Sequence, residues 1–253
     1  MTTFSANLGF LFTEKPLPEA IHAAKSAGFH AVECHWPYDT PASEVKAALT
    51  ETGLPMLSLN TRRGDVEKGE NGLAALPGRD AEARAAIDEA IAYGARIGAG
   101  CVHVMAGCDV SEAAGRTFID NLTYACKQAE QSGLTILIEP LNRHDAPGYF
   151  LQTTDQAAAI IQMVSAPNLK LMFDCYHVGR TEGDLTTRLG RLLPIIGHIQ
   201  FASVPDRGPP DRCEINFPAV FEAIVALGWT APLGAEYRPV GATEDTLDWL
   251  RRI

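Results

Sequence analysis

Nowhere does the chain hold the ~18 consecutive apolar residues that would span a bilayer. Its first residues, MTTFSANLGFLFTEKP, lack the basic stretch, apolar run and small-residue cleavage site of a secretory leader. The expectation is a soluble, cytoplasmic protein. Positive charge is also short: 21 Lys and Arg against 31 Asp and Glu leave a formal net charge of −10. That balance opposes sequence-independent binding to nucleic acid or to anionic membrane, both of which need a basic surface. An anionic substrate would have to be drawn by a local cation. Cysteine carries no pattern. Cys34, Cys101, Cys108, Cys126, Cys175 and Cys213 show no CxxC or comparable metal spacing and read as reduced thiols, mostly buried packing residues. No low-complexity linker divides the chain, and no GxGxxG loop follows the first predicted strand, which weakens a dinucleotide-binding reading.

What the sequence does contain is alternation. Short aliphatic runs are predicted as strands at Phe4–Leu8, Ala31–Cys34, Met56–Leu59, Cys101–Met105, Thr135–Glu139, Lys170–Asp174, Gly197–Phe201 and Leu233–Glu236. Amphipathic helices are predicted between them. Ile87, Ala90, Ile91 and Gly94 fall at helical spacing, as do Ala157, Ile160, Ile161 and Val164 after a Thr153–Gln156 capping box. Phe217, Val220, Phe221, Ile224 and Val225 repeat it, with Gly228 at the expected C-cap. Strand–helix alternation means a parallel sheet, and eight repeats in 253 residues favour one (β/α)8 TIM barrel domain over residues 1–253. The long, charged, Gly-rich segment 60–79 after the third strand reads either as a functional loop or as a solvated excursion.

In such a barrel, the chemistry sits at the C-terminal ends of the strands. Four strands of the second half end on an oxygen-bearing side chain: Glu139 in TILIE, Asp174 in KLMFD, Gln200 in GHIQ and Glu236 in LGAE. Three acids crowded at one mouth repel one another, and a divalent cation relieves the conflict. Two Glu, one Asp and one amide oxygen form a hard-oxygen set suited to a single Mg²⁺ or Mn²⁺ ion. Capping a helix or pairing with an Arg is the alternative for any one of them. His177, three residues after Asp174, and Arg207, in VPDRGPPDRCEIN after the seventh strand, are candidate substrate contacts. His103 is either a substrate contact or a satisfied core histidine, and Glu214 either closes over the site or caps the next helix. His35 and His144 lie near the predicted mouth, and Arg62 and Arg63 lie in the long loop. Asn216 is read as a helix cap, His198 as sharing the inward face with Gln200, and His22 and His30 as structural.

With these residues in view, the sequence resembles the hydroxypyruvate isomerase family within the xylose isomerase-like barrels. The resemblance runs over essentially the whole chain, through SANLGFLFTE, GFHAVE, LSLNT, GLAALPGR, VHVMAG, FIDNLTYA, LIEPLN, GHIQFASVPDR, EINFP and EYRPVGATEDTLDWL. It implies metal ligation by Glu139, Asp174, Gln200 and Glu236, proton handling by Glu139 and Glu236, and contact of His177 with substrate. The implied reaction interconverts hydroxypyruvate and tartronate semialdehyde by metal-assisted proton transfer through a cis-enediolate. Isomerisation of a 2-oxo-tetronate and 3-epimerisation of a ketose are alternatives on the same metal site, and a non-catalytic sugar-acid-binding barrel is a weaker one. A nucleic-acid repair nuclease on this barrel type would need a His-rich zinc cluster and a basic groove. The chain departs from the family at Gly208, at Cys213 and in the third loop, NTRRGD, which bears on substrate identity. Barrels of this kind often associate, so a homo-oligomer stays open.

Overall fold

A computed structural model describes residues 2–211 and 213–252. In chain order the main elements are β1 (Phe4–Asn7), α1 (Leu17–Ala27), β2 (Ala31–Glu33), α2 (Ala42–Thr52), β3 (Ser58–Asn60), α3 (Asp80–Ile97), β4 (Cys101–His103) and α4 (Glu112–Glu130). They continue as β5 (Thr135–Ile138), α5 (Thr154–Val164), β6 (Leu169–Asp174), α6 (Cys175–Thr181), α7 (Leu185–Leu192), β7 (Ile196–Phe201), α8 (Phe217–Ala226) and β8 (Leu233–Ala235). The strands form one parallel sheet in the order β2-β1-β8-β7-β6-β5-β4-β3. Its two edges meet through a parallel bridge between Val32 and Met56, backed by hydrogen bonds from Leu57 N to Val32 O at 2.7 Å and from Cys34 N to Ser58 O at 3.0 Å. The sheet is thus a nearly closed barrel, as the alternation predicts. The third strand begins two residues later than its apolar run because Met56 pairs across the seam by a single bridge.

Successive residues of a strand face opposite ways, and that alternation sorts the chain by chemistry. Ser5 and Asn7, Glu33, Ser58, His198 and Gln200 point into the barrel, where they bond one another or Glu236. Phe4, Val32, Leu59, Ile199 and Phe201 belong to the hydrophobic core. The core therefore lies chiefly between the sheet and its helices. Its densest part is aromatic: Phe4, Phe201, Phe221 and Trp249 meet edge to face at centroid distances of 4.9–5.7 Å.

The helix ends follow the predicted chemistry, with one difference. Thr153 Oγ1 accepts from Gln156 N at 3.2 Å, but Gln156 Oε1 reaches back to Gln152 N at 3.0 Å rather than to Thr153. Asn216 Oδ1 caps α8 from Ala219 N, and Gly228, past the helix end, takes φ 85°. The segment 60–79 is not wholly solvated. Leu73, Ala74 and Ala75 are buried, and Ala74 N and Ala75 N donate to Met105 O and Ala106 O just after β4.

Candidate active site and metal centre

Glu139 is the residue after β5, Asp174 closes β6, Gln200 lies one residue before the end of β7, and Glu236 follows β8. Strand register sets Asp174 beside Gln200. All four are buried, none more than 6% exposed, so the acids are enclosed rather than solvated. Asp174 Oδ1 accepts from Tyr176 N at 2.8 Å and so caps α6, which leaves Oδ2 free. Glu139 Oε1, Asp174 Oδ2 and Gln200 Oε1 are all buried with no hydrogen-bond partner. Burial, followed by the charges of Glu236 and Asp174, pushes the Glu139 carboxyl well above the ordinary range. Burial likewise raises Asp174 to about 7 against the pull of Arg207. Crowded, unpartnered acceptors of this hardness fit a divalent cation.

His177 stands against this group. Its Nε2 lies 3.6 Å from Asp174 Oδ2 and 3.8 Å from Glu139 Oε1, and ligand atoms of the three residues all fall within 4.8 Å of one another. The hydrogen bonds decide what the ring can do. Nδ1 accepts from Asn142 N at 2.9 Å, and burial, then the Arg207 charge, lowers the imidazole pKa to about 3. The ring is neutral with its proton on Nε2, so the face turned to the acids donates. That suits a contact to a substrate oxygen better than metal ligation. His103 stands beside Glu139 as well, its Nδ1 3.6 Å from Oε2, and both ring nitrogens are buried without partners. Burial lowers its pKa to about 4. It is not a satisfied core histidine.

Glu236 differs from the other acids because its oxygens are occupied. Oε1 accepts from Asn7 Nδ2 at 2.8 Å and from His35 Nε2 at 2.9 Å, and Oε2 from Arg207 Nη2 at 2.7 Å. Burial alone would raise this carboxyl, but Arg207 and then His35 hold it down at about 2. Arg207 has φ 57°, and its guanidinium lies 4.7 Å from the Phe10 ring centroid and 4.9 Å from that of Tyr176. The same group is 3.7 Å from Asp174 Oδ2. A buried, fixed cation thus borders the acids, where a substrate carboxylate could meet it.

Other sequence-predicted residues fall elsewhere. Glu214 is exposed, and its side chain makes no hydrogen bond or ion pair to the cluster among the described residues. His144 is exposed, Arg62 pairs with Glu89 at 2.7 Å, and Arg63 stacks on Trp36 at 4.9 Å. The departures in the seventh loop have structural roles. Cys213 Sγ accepts from Val204 N at 3.1 Å and Ile215 N at 3.2 Å, and Gly208 N donates to Ser203 Oγ at 2.8 Å. Sequence reasoning missed Glu33, Asn7 and Asn142. Glu33 closes the observed strand AVE, whereas the predicted strand ran one residue further, to Cys34.

The model of the xylose isomerase-like TIM barrel family matches residues 21–253. A 2-oxo-tetronate isomerase of Cupriavidus necator is 44% identical over 99% of this chain and 98% of its own length. A putative hydroxypyruvate isomerase of Homo sapiens is also 44% identical, over 98% of this chain and 94% of its own. The crystal structure of a Brucella melitensis protein described as an AP endonuclease, family 2, superposes with a TM-score of 0.96 at 36% identity. It covers 100% of this chain and 99% of that one.

Proposed function

The chain belongs to the xylose isomerase-like TIM barrel family and is an isomerase, and from that premise we propose that it interconverts hydroxypyruvate and tartronate semialdehyde. The observation that carries the reading is the set of three buried, unpartnered oxygens on Glu139, Asp174 and Gln200, bordered by the Arg207 cation. Those residues and Glu236 would hold one Mg²⁺ or Mn²⁺ ion, which when bound would polarise the substrate carbonyl and steady developing negative charge on oxygen. Arg207 meets the substrate carboxylate, loosening from Glu236 as it does so. His177 donates through Nε2–H to a substrate oxygen, and Asn142 holds the ring for that task. His103, with both nitrogens free, is a second contact in the same enclosure.

Glu139 and Glu236 handle the protons. One takes a proton from the hydroxyl-bearing carbon and the other gives one to the neighbouring carbon, while the hydroxyl proton passes from one oxygen to the other. The longer 2-oxo-tetronates are the second reading, favoured by the Cupriavidus necator relative. A nuclease reading, which the endonuclease description of the Brucella melitensis protein raises, is opposed by a net charge of −10 and a carboxylate-rich centre. Steady-state assays of the purified protein with Mn²⁺ or Mg²⁺ on hydroxypyruvate, a 2-oxo-tetronate and a ketose test the proposal. The expected result is the highest kcat/KM on hydroxypyruvate. A higher value on the tetronate moves the assignment to the second reading.

A further inference from the structure

Beneath Gln200 the barrel holds a carboxylate that none of these roles uses. Glu33, at the end of β2, has no exposed surface. Its Oε1 accepts from Ser5 Oγ at 2.6 Å, and its Oε2 from His198 Nε2 and Gln200 Nε2, each at 2.9 Å. Space for it is kept by Gly234 on β8, where a Cβ would lie 2.2 Å from Glu33 Oε1. A side-chain amide has one donating and one accepting end, whereas an ionised carboxylate can only accept. Glu33 therefore draws the Gln200 NH₂ group to itself and turns the carbonyl oxygen away, and that oxygen is the one left buried without a partner.

We propose that Glu33 is a positioning residue that locks the Gln200 amide with its carbonyl oxygen presented to a divalent cation. With the amide reversed, an NH₂ group would face the cation and the fourth donor would be lost. The inference rests on the metal reading of the site. Negative charge at position 33 would by itself also favour a cation, so the decisive experiment separates charge from hydrogen bonding.

Mn²⁺ affinity is measured by isothermal titration calorimetry on the chelator-stripped full-length protein and on Glu33→Gln and Glu33→Asp, with circular dichroism to confirm that both variants fold. Glu33→Gln loses the charge, but its carbonyl still accepts from Gln200 and His198 while its NH₂ donates to Ser5 Oγ. Glu33→Asp keeps the charge but withdraws the acceptor by one methylene. The expected result is affinity within about threefold of wild type for Glu33→Gln and roughly 10–100-fold weaker binding for Glu33→Asp, the range seen when a ligand loses its orienting partner. The reverse order, or equal affinities in both variants whether weak or strong, overturns the inference. Failure of the wild-type protein to bind Mn²⁺ sinks the metal reading instead.

Discussion

Glu139 Oε1, Asp174 Oδ2 and Gln200 Oε1 are each buried without a partner, and leaving such a group unsatisfied typically costs about 1–3 kcal/mol. The acids differ in their pairings, which supports the separate roles proposed for them. Glu139 has no hydrogen bond to its Oε1, while Glu236 is held by Asn7, His35 and Arg207. Glu139→Gln and Glu236→Gln should each lower kcat by ~10²–10⁴-fold, the usual contribution of one positioned acid–base group. Near-normal turnover in both would remove them from the chemistry. Arg207→Met should raise KM for the acid substrate by roughly ten- to hundred-fold, the worth of a charge-assisted hydrogen bond of about 1.5–3 kcal/mol. An unchanged KM would place the carboxylate elsewhere. The sequence singled out Glu139, Asp174, Gln200 and Glu236 because each sits at or beside a strand end, a position set by local periodicity. It did not disclose that Arg207 rests on Glu236 or that Asn142 fixes the His177 ring, because those contacts join residues 29 and 35 positions apart. Glu33 escaped because the predicted strand ran on to Cys34 and because the strand-end rule was applied only in the second half of the barrel.

At the level of elements, the eight strands follow the aliphatic runs within a residue or two, since parallel strands covered on both sides leave a strong apolar signal. Their facing is less readable. His103 could have been core or site by sequence, and only the closed sheet turns it toward Glu139. The 60–79 loop was undecidable for a similar reason: Ala74 and Ala75 are tied down by carbonyls at Met105 and Ala106, beyond the reach of local pattern. The aromatic layer outside the sheet gives a test of the division of labour. Trp249 is fully buried against Phe4 and Phe201, so Trp249→Ala should lower unfolding free energy by about 3–5 kcal/mol. Denaturant melts measure the loss, and kcat below the new melting temperature should stay close to wild type. A variant with normal stability would mean the layer is less tightly packed than the ring geometry requires.

For the molecule as a whole, folding gathers Glu33, Glu139, Asp174 and Glu236 inside one barrel, all of them buried. Their separation in an unfolded chain relieves the repulsion, so a cation that binds only the folded form should stabilise it by linkage. Mn²⁺ or Mg²⁺ at about 100 times its Kd should add about 2.7 kcal/mol, read as a rise in Tm in thermal melts that a chelator reverses. The chelated protein should also lose turnover. A Tm indifferent to metal would mean that Arg207 alone balances the acids. With the buried Arg207 as the proposed partner of the substrate carboxylate, a raised ionic strength should affect the affinity of substrate little beyond ordinary screening.

The two-sided strands carry a lesson for how such a chain can diverge. Odd and even positions answer to different demands, the outward set to the helices and the inward set to the guest. A change such as Gln200 to another donor rewrites the inside of the barrel without loosening a single aromatic contact on the outside. New reactivity can therefore be sampled on this scaffold while its fold stands still. The limit comes where an inward residue has no room to grow: Gly234, pressed against the Glu33 carboxylate, is the position where that freedom ends.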